Sequence, residues 1–286
     1  MKSIYIIILV FNQKKETISC LRELCKVKVQ GYKLEIVLID NNSSDGTEKD
    51  IVNKFPKVIY KRNKKNLGFS AGVNKGINLA QKNKSCEYIL LLNNDTYELN
   101  SNFISSLVKT AKNDPKIGIT APALKHYVGK KLFYGMEGQL NLNLAKATHR
   151  NTKTIRSKKI INADFVSGCC MLIKKEVFLK AGLFDEGYFL YLEDVDFCLK
   201  AKQAGFKVVL DPNIIISHKV SASLSNPLKK IPYSFKSNLR LISKWTPLKH
   251  KPLAFFHCLY FYPSLAVLWS GRILKRKITK TLNLSF

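Results

Sequence analysis

The chain has 286 residues and is 46% hydrophobic, enough for one large α/β domain with an appendage, and this excludes disorder over most of its length. Its seven cysteines are an odd number with no zinc spacing, even at the adjacent Cys169-Cys170 pair, which excludes a disulfide scaffold and implies free thiols in a reducing cytoplasm. The formal net charge is +28, and residues 138–163 and 212–286 contain no acid at all, so the partner to look for is a polyanion: nucleic acid, anionic lipid or a diphosphate-bearing substrate.

In chain order, residues 4–11 and 34–40 are apolar, largely β-branched runs without alternation, the pattern of parallel strands buried on both faces. Lys2 precedes the first run, but no small-residue cleavage site follows it, so it reads as a strand and not as a signal peptide. Residues 16–27 place Ile18, Leu21, Leu24 and Cys25 at helical spacing, completing a βαβ unit. A strand at 57–60, a helix over 70–83 and a strand at 88–92 repeat the alternation and predict an open, right-handed α/β sheet. Past residue 115 the pattern shortens, with strands near 117–121, 131–134 and 169–173. The basic stretch 141–159 has no periodicity of its own and is expected to be a mobile loop or lid. Helices follow at 174–182, ended by Gly182, and at 194–204, ended by Gly205. The tail holds a helix near 233–245 and an apolar, aromatic segment at 252–270, just long enough to span a bilayer core. Pro263 in its middle and the basic flanks on both sides favour a segment lying in one leaflet, with a helix hairpin packed on the domain as the alternative.

Three strand-like runs end in acids or amides, where the carboxyl edge of an open sheet meets its ligands. Asp40 ends the second strand and is followed by Asn41-Asn42-Ser43-Ser44-Asp45-Gly46-Thr47; its carboxylate suits a nucleobase imide N–H or a ribose hydroxyl, while Ser44 or Asp45 suits a helix cap. Asn66-Leu67-Gly68-Phe69-Ser70-Ala71-Gly72-Val73-Asn74-Lys75-Gly76 is a glycine-rich helix entry, suited either to a phosphate or to close helix packing; it is neither a dinucleotide fingerprint nor a P-loop. Asn93-Asn94-Asp95 follows Leu90-Leu91-Leu92, and a carboxylate there suits Mg²⁺ or Mn²⁺ against a diphosphate. His218 is either a further ligand or an ordinary half-buried histidine. Glu193-Asp194 opens a helix, where acids are favoured by the dipole whatever the function.

As an ordered set these motifs resemble inverting family 2 glycosyltransferases with the GT-A fold, in the rhamnosyltransferase-like branch that builds bacterial surface polysaccharides. The resemblance covers residues 4–223. It implies donor binding by Phe11, Asn12, Asp40, Asn66, Gly68, Asn74, Asn93 and Asn94; a metal, Mg²⁺ or Mn²⁺, on Asp95 and His218; acceptor binding by Gly168, Tyr191 and Glu193; and Asp194 as general base. Asn93-Asn94-Asp95 is a variant of the family's D-x-D motif lacking its first carboxylate, and Lys236-Ser237-Asn238 lacks the Arg often found before that Asn. The expected division is a catalytic domain over 1–223 and a basic, membrane-associating helical region over 224–286. A nucleotide-sugar donor, a glycan or lipid-linked glycan acceptor and an anionic membrane surface are the expected partners, with no specific nucleic acid. The expected location is peripheral, on the cytoplasmic side of the plasma membrane. A sugar-phosphate nucleotidyltransferase is the enzymatic rival, but Asn12-Gln13-Lys14-Lys15 supplies no glycine for its loop. A basic nucleic-acid-binding module leaves the acids at three strand ends unexplained.

Overall fold

A computed structural model describes residues 1–219 and 227–282. In chain order the elements are β1 (Lys2–Val10), α1 (Lys14–Leu24), β2 (Tyr32–Asp40), α2 (Thr47–Lys54), β3 (Ile59–Arg62), α3 (Gly68–Gln81), β4 (Cys86–Leu92), β5 (Thr96–Tyr97), α4 (Phe103–Lys112), β6 (Ile117–Val128), β7 (Lys131–Asn141), β8 (Lys146–Thr152), β9 (Ile161–Asn162), β10 (Cys170–Lys174), α5 (Lys175–Ala181), α6 (Glu193–Gln203), β11 (Lys207–His218), α7 (Ile231–Trp245) and α8 (Lys251–Leu282). The main path of the sheet runs β3-β2-β1-β4-β10-β6-β11-β5.

The first half is the parallel sheet that the apolar runs predict. β1 pairs in parallel with β2 and β4, and β2 with β3, so Val10 lies opposite Asp40 and Asp40 opposite Arg62. Ile4, Ile6, Ile8 and Val10 face a core layer shared with α1 and α4, while Tyr5 and Ile7 face a second layer shared with α3 and α6. Burial on both faces is why these strands carry no polar alternation. Two glycines of α3 serve close packing: a Cβ on Gly72 would lie 2.5 Å from Leu9, and one on Gly76 would lie 2.6 Å from Ile7.

The second half makes the sheet mixed. β10 runs antiparallel to both β4 and β6, placing Cys170 opposite Leu92. β11 runs parallel to β6 and antiparallel to β5, placing His218 opposite Thr96. The turn before β10 and the end of β11 are thereby delivered to the same edge as the end of β4.

The structure corrects the expected loop at 141–159. Lys146–Thr152 is a strand paired antiparallel with β7, and Arg150 holds Glu137 through two hydrogen bonds of 2.7 and 2.9 Å. Polar residues occupy both faces of this largely exposed strand, so it carries no period-2 signal. β6 and β7 are also longer than their apolar runs, extending into a mostly exposed hairpin. Leu241 and Ile242 of α7, with Ala254, Cys258 and Tyr262 of α8, join the core layer containing α6. The expected domain boundary at 223/224 lies outside the described residues, as does Ser223, where the family resemblance ends.

Candidate functional site

The loops after β1 and β2 are tied to each other by backbone and side-chain bonds. After β1 the chain takes two consecutive left-handed residues, Asn12 (φ 60°) and Gln13 (φ 63°), which expose Phe11 and turn Asn12 toward the loop after β2. Asn12 donates its N–H to Ser43 Oγ at 2.7 Å and accepts from Ser44 N at 2.9 Å. Asp45 accepts from Lys14 N and from the Thr47 hydroxyl at the start of α2. Burial works against its charge, but these bonds hold its carboxyl below the usual carboxylate range.

Asp40 itself is fully buried. One oxygen accepts from Ser43 N and Ser43 Oγ, both at 2.7 Å, and the other from the Tyr60 hydroxyl. In this arrangement its carboxylate shapes the 41–45 loop and is screened from solvent. A surface depression of about 480 Å³, lined by Ser43, Ser44, Gly46, Glu48, Lys49 and Arg62, opens on the outer side of that loop. A larger one of about 660 Å³ lies at Tyr32, where β2 begins, and so belongs to the opposite edge of the sheet.

Asn66 and Asn74 act as braces. Asn66 accepts from Gly68 N and from Asn41 Nδ2, and Asn41 Nδ2 also bonds the Gly68 carbonyl. Asn74 is buried and spends its amide on the Phe184 backbone in both directions and on Glu186. Gly68 has φ 79°, and a Cβ there would meet the Phe189 carbonyl at 2.5 Å; Phe69 N donates to that same carbonyl at 2.7 Å. The glycine therefore lets the start of α3 touch the loop that precedes α6.

At the carboxyl end of β4, Asp95 is buried and His218 nearly so. His218 Nε2 lies 3.1 Å from Asp95 Oδ1 and 3.4 Å from the Asn93 amide nitrogen. Apart from this approach of His218 Nε2, Asp95 Oδ1 has no hydrogen bond among the described residues, and a buried carboxylate oxygen so sparsely bonded suits a cation. Asn94 is turned the other way, bonding Thr17 and Gln13 of the α1 entry. No cluster of three or more His, Cys, Asp or Glu side chains occurs among the described residues, so Asp95 and His218 fit a hard cation only with water and substrate oxygens completing its shell.

Asp194 stands in the first turn of α6, where the helix dipole favours its charge. Its Oδ2 accepts from Gly168 N at 3.0 Å and its Oδ1 from Val195 N at 2.8 Å. The chain enters α6 through two more left-handed residues, Tyr191 (φ 71°) and Leu192 (φ 66°), a conformation that costs on the order of 1 to 3 kcal/mol per non-glycine residue and tends to mark functional turns. Glu193, beside it, is buried with Oε2 unbonded; burial first, and the Asp194 charge second, push its carboxyl up to about 8. Burial and then Glu193 likewise raise the Tyr191 phenol to about 12. Burial thus favours the protonated form of Glu193, while its neighbour Asp194 accepts from two backbone N–H groups.

These pieces are joined. Asn93 N donates to the Cys169 carbonyl at 2.8 Å, so Gly168, Asp194, Asn93, Asp95 and His218 form one connected ridge, with Phe69 packed near Gly168. The loop that follows Asp40 is tied to the start of α3 through Asn41, Asn66 and Gly68, and that start in turn meets Phe189. Sequence reasoning named Ser43 only as part of the run after Asp40 and gave no role to Tyr60 or Arg62, which finish the Asp40 loop; the advance signal for the latter two was their position at the end of the third strand.

A family model described as "Glycosyl transferase family 2" matches residues 5–182. An N-acetylglucosaminyl-diphospho-decaprenol L-rhamnosyltransferase of Mycobacterium tuberculosis is 26% identical over 226 residues, 71% of this chain and 73% of the relative. Among solved structures, GalNAc-T7 with UDP, GalNAc and Mn²⁺ superimposes with a TM-score of 0.64 at 18% identity over 90% of this chain, which spans 54% of that protein. The mannosyltransferase PcManGT of Pyrobaculum calidifontis, in complex with GDP-Man and Mn²⁺, gives 0.58 at 14% identity, covering 95% and 79%.

Proposed function

The chain belongs to glycosyl transferase family 2, in its rhamnosyltransferase-like branch with the GT-A fold, and from that premise we propose an inverting transfer of a sugar from a dTDP- or UDP-linked donor. The acceptor is a hydroxyl of a lipid-linked glycan, and the setting is bacterial surface polysaccharide synthesis on the cytoplasmic side of the plasma membrane. The observation that carries the reading is the tether of Asp194 to Gly168, on the same ridge as Asn93, Asp95 and His218.

Asp194 takes the proton of the acceptor hydroxyl while the hydroxyl oxygen attacks the anomeric carbon. The bond from that carbon to the diphosphate oxygen breaks, and its electron pair leaves with the nucleoside diphosphate. A single displacement of this kind inverts the anomeric centre. Gly168, Tyr191 and Glu193 flank the acceptor; Phe11 and Asn12 flank the nucleoside; and Asp40 acts on the nucleoside through the loop it shapes. Asp95 and His218 would hold a Mg²⁺ or Mn²⁺ ion that supplies positive charge to the departing diphosphate.

The lipid-linked acceptor agrees with α8. Residues 248–270, the start of α8 and the turn before it, are long and apolar enough to cross a membrane, with mean hydropathy 1.3 and only 17% buried over the apolar window. Ala254, Cys258 and Tyr262 dock inward, while Phe256, Tyr260 and Val267 are 67%, 78% and 73% exposed. We assign that exposed face to the interfacial region of the membrane. The basic side chains expected after residue 270 lie outside the described ones.

Asp194→Asn tests the reading. The amide keeps an acceptor for the Gly168 N–H but cannot take a proton, so turnover should fall by roughly 10²- to 10⁴-fold. Donor affinity, measured by calorimetry across a panel of nucleotide sugars, should be unchanged. Turnover retained by the variant removes Asp194 from the role of base.

A further inference from the structure

α7 lies outside the residues matched by the family model, yet one of its faces grips the segment that presents Asp194. Tyr233 stacks on Phe189 at 5.1 Å between ring centroids. The Ser237 hydroxyl, buried, donates to the Leu190 carbonyl at 2.9 Å. Arg240 grips Asp185 with two hydrogen bonds of 2.9 and 2.7 Å, and its guanidinium lies over Gly187 so closely that a Cβ there would meet it at 2.1 Å. Lys244 sits between two carboxylates, 2.6 Å from Asp185 and 2.5 Å from Asp196. Trp245 donates its indole N–H to Asp196 at 2.7 Å.

The gripped points bracket the strained turn. Asp185, Phe189 and Leu190 precede the left-handed pair Tyr191 and Leu192, and Asp196, fully buried, follows it two residues after Asp194. Left-handed non-glycine residues persist only where the surroundings over-determine them. The Gly168 bond fixes one carboxylate oxygen of Asp194, and α7 holds residues on either side of the left-handed pair Tyr191 and Leu192. Resting on the assignment of Asp194 as base, we propose that Arg240, Lys244 and Trp245 are positioning residues, which hold the 185–196 segment so that Asp194 meets the acceptor hydroxyl. Burial opposes the charge of Asp185, but Arg240 and Lys244 outweigh it and keep its carboxyl well below the usual range.

The test is kinetic. In the whole chain, Trp245→Phe removes the indole N–H while keeping an aromatic ring, and Arg240→Gln combined with Lys244→Met removes both cations. Each should lower kcat by about tenfold or more while both donor and acceptor KM stay within about twofold, since an interaction felt only in the transition state is lost. Arg240→Lys and Lys244→Arg should recover part of the loss. If the double variant is poorly folded by thermal denaturation, Trp245→Phe and Ser237→Ala carry the test. Well-folded variants with wild-type kcat, or with losses that follow KM, overturn the proposal. Asp194→Asn run alongside separates the two ideas: an inactive Asp194→Asn with unaffected α7 variants sinks only the positioning role, whereas an active one sinks the base assignment beneath it.

Discussion

Replacing Glu193 by Gln should change the pH dependence of stability more than stability itself. Glu193 is buried with an unbonded oxygen, and its carboxyl is pushed from 4.5 to about 8 by burial first and by the Asp194 charge second. Because the folded pKa is raised, the native state keeps a proton that the unfolded chain has already released. Stability from this group is therefore full below about pH 4.5, is lost as pH rises, and levels off above about 8. One proton of difference gives a slope of about 1.4 kcal/mol per pH unit, so between roughly pH 5.5 and 7.5 the loss is about 3 kcal/mol. Glutamine has the same shape and no proton to release. Urea unfolding of both proteins across that window should show the variant gaining about 3 kcal/mol on the wild type, or on the order of 5 °C in Tm for a chain of this size. Titrating groups that do not interact with Glu193 cancel in the difference. Asp194→Asn in the background should leave most of the slope, because burial is the larger cause. Stability curves that run parallel for wild type and Glu193→Gln would show that Glu193 is already ionised in the native state and refute the reasoning.

Asp95→Asn and His218→Ala should each weaken Mn²⁺ binding by roughly tenfold or more, read by electron paramagnetic resonance titration with a nucleoside diphosphate present; unchanged titrations would remove that pair from the metal. Chelation with EDTA should stop turnover, and added Mg²⁺ or Mn²⁺ should restore it. On α8, Phe256→Glu with Tyr260→Glu changes two exposed side chains, so the fold should survive. With each aromatic contributing about 2 kcal/mol on burial, partitioning onto anionic vesicles should fall by on the order of 100-fold or more; unchanged flotation would mean this face does not meet lipid.

The Asp40 loop shows where reading residues one at a time stops. Asp40 was legible as the end of a buried strand, because β-branched apolar runs without alternation have one common explanation. That both its oxygens would be taken by Ser43 and Tyr60 was not legible, since Tyr60 reaches it only through the parallel pairing of β2 with β3. The glycine-rich segment admitted two readings from sequence, phosphate entry or close packing. Gly72 and Gly76 pack on Leu9 and Ile7, and Gly68 meets the Phe189 backbone, so the packing reading describes these three contacts. β8 was missed because a strand with polar residues on both faces leaves no periodic trace.

The amino-acid order by itself determined the alternation of strands and helices, the placing of acids at strand ends and the family, because periodicity and short motifs are local and survive without a third dimension. Only the tertiary structure decided which of those ends meet. The antiparallel insertion of β10 between β4 and β6 sets Cys169, next to Gly168, against Asn93, the return of β11 sets His218 against Asp95, and α7 clamps the turn before α6. Each is a contact between residues tens of positions apart, fixed by sheet register and helix packing rather than by any spacing in the chain.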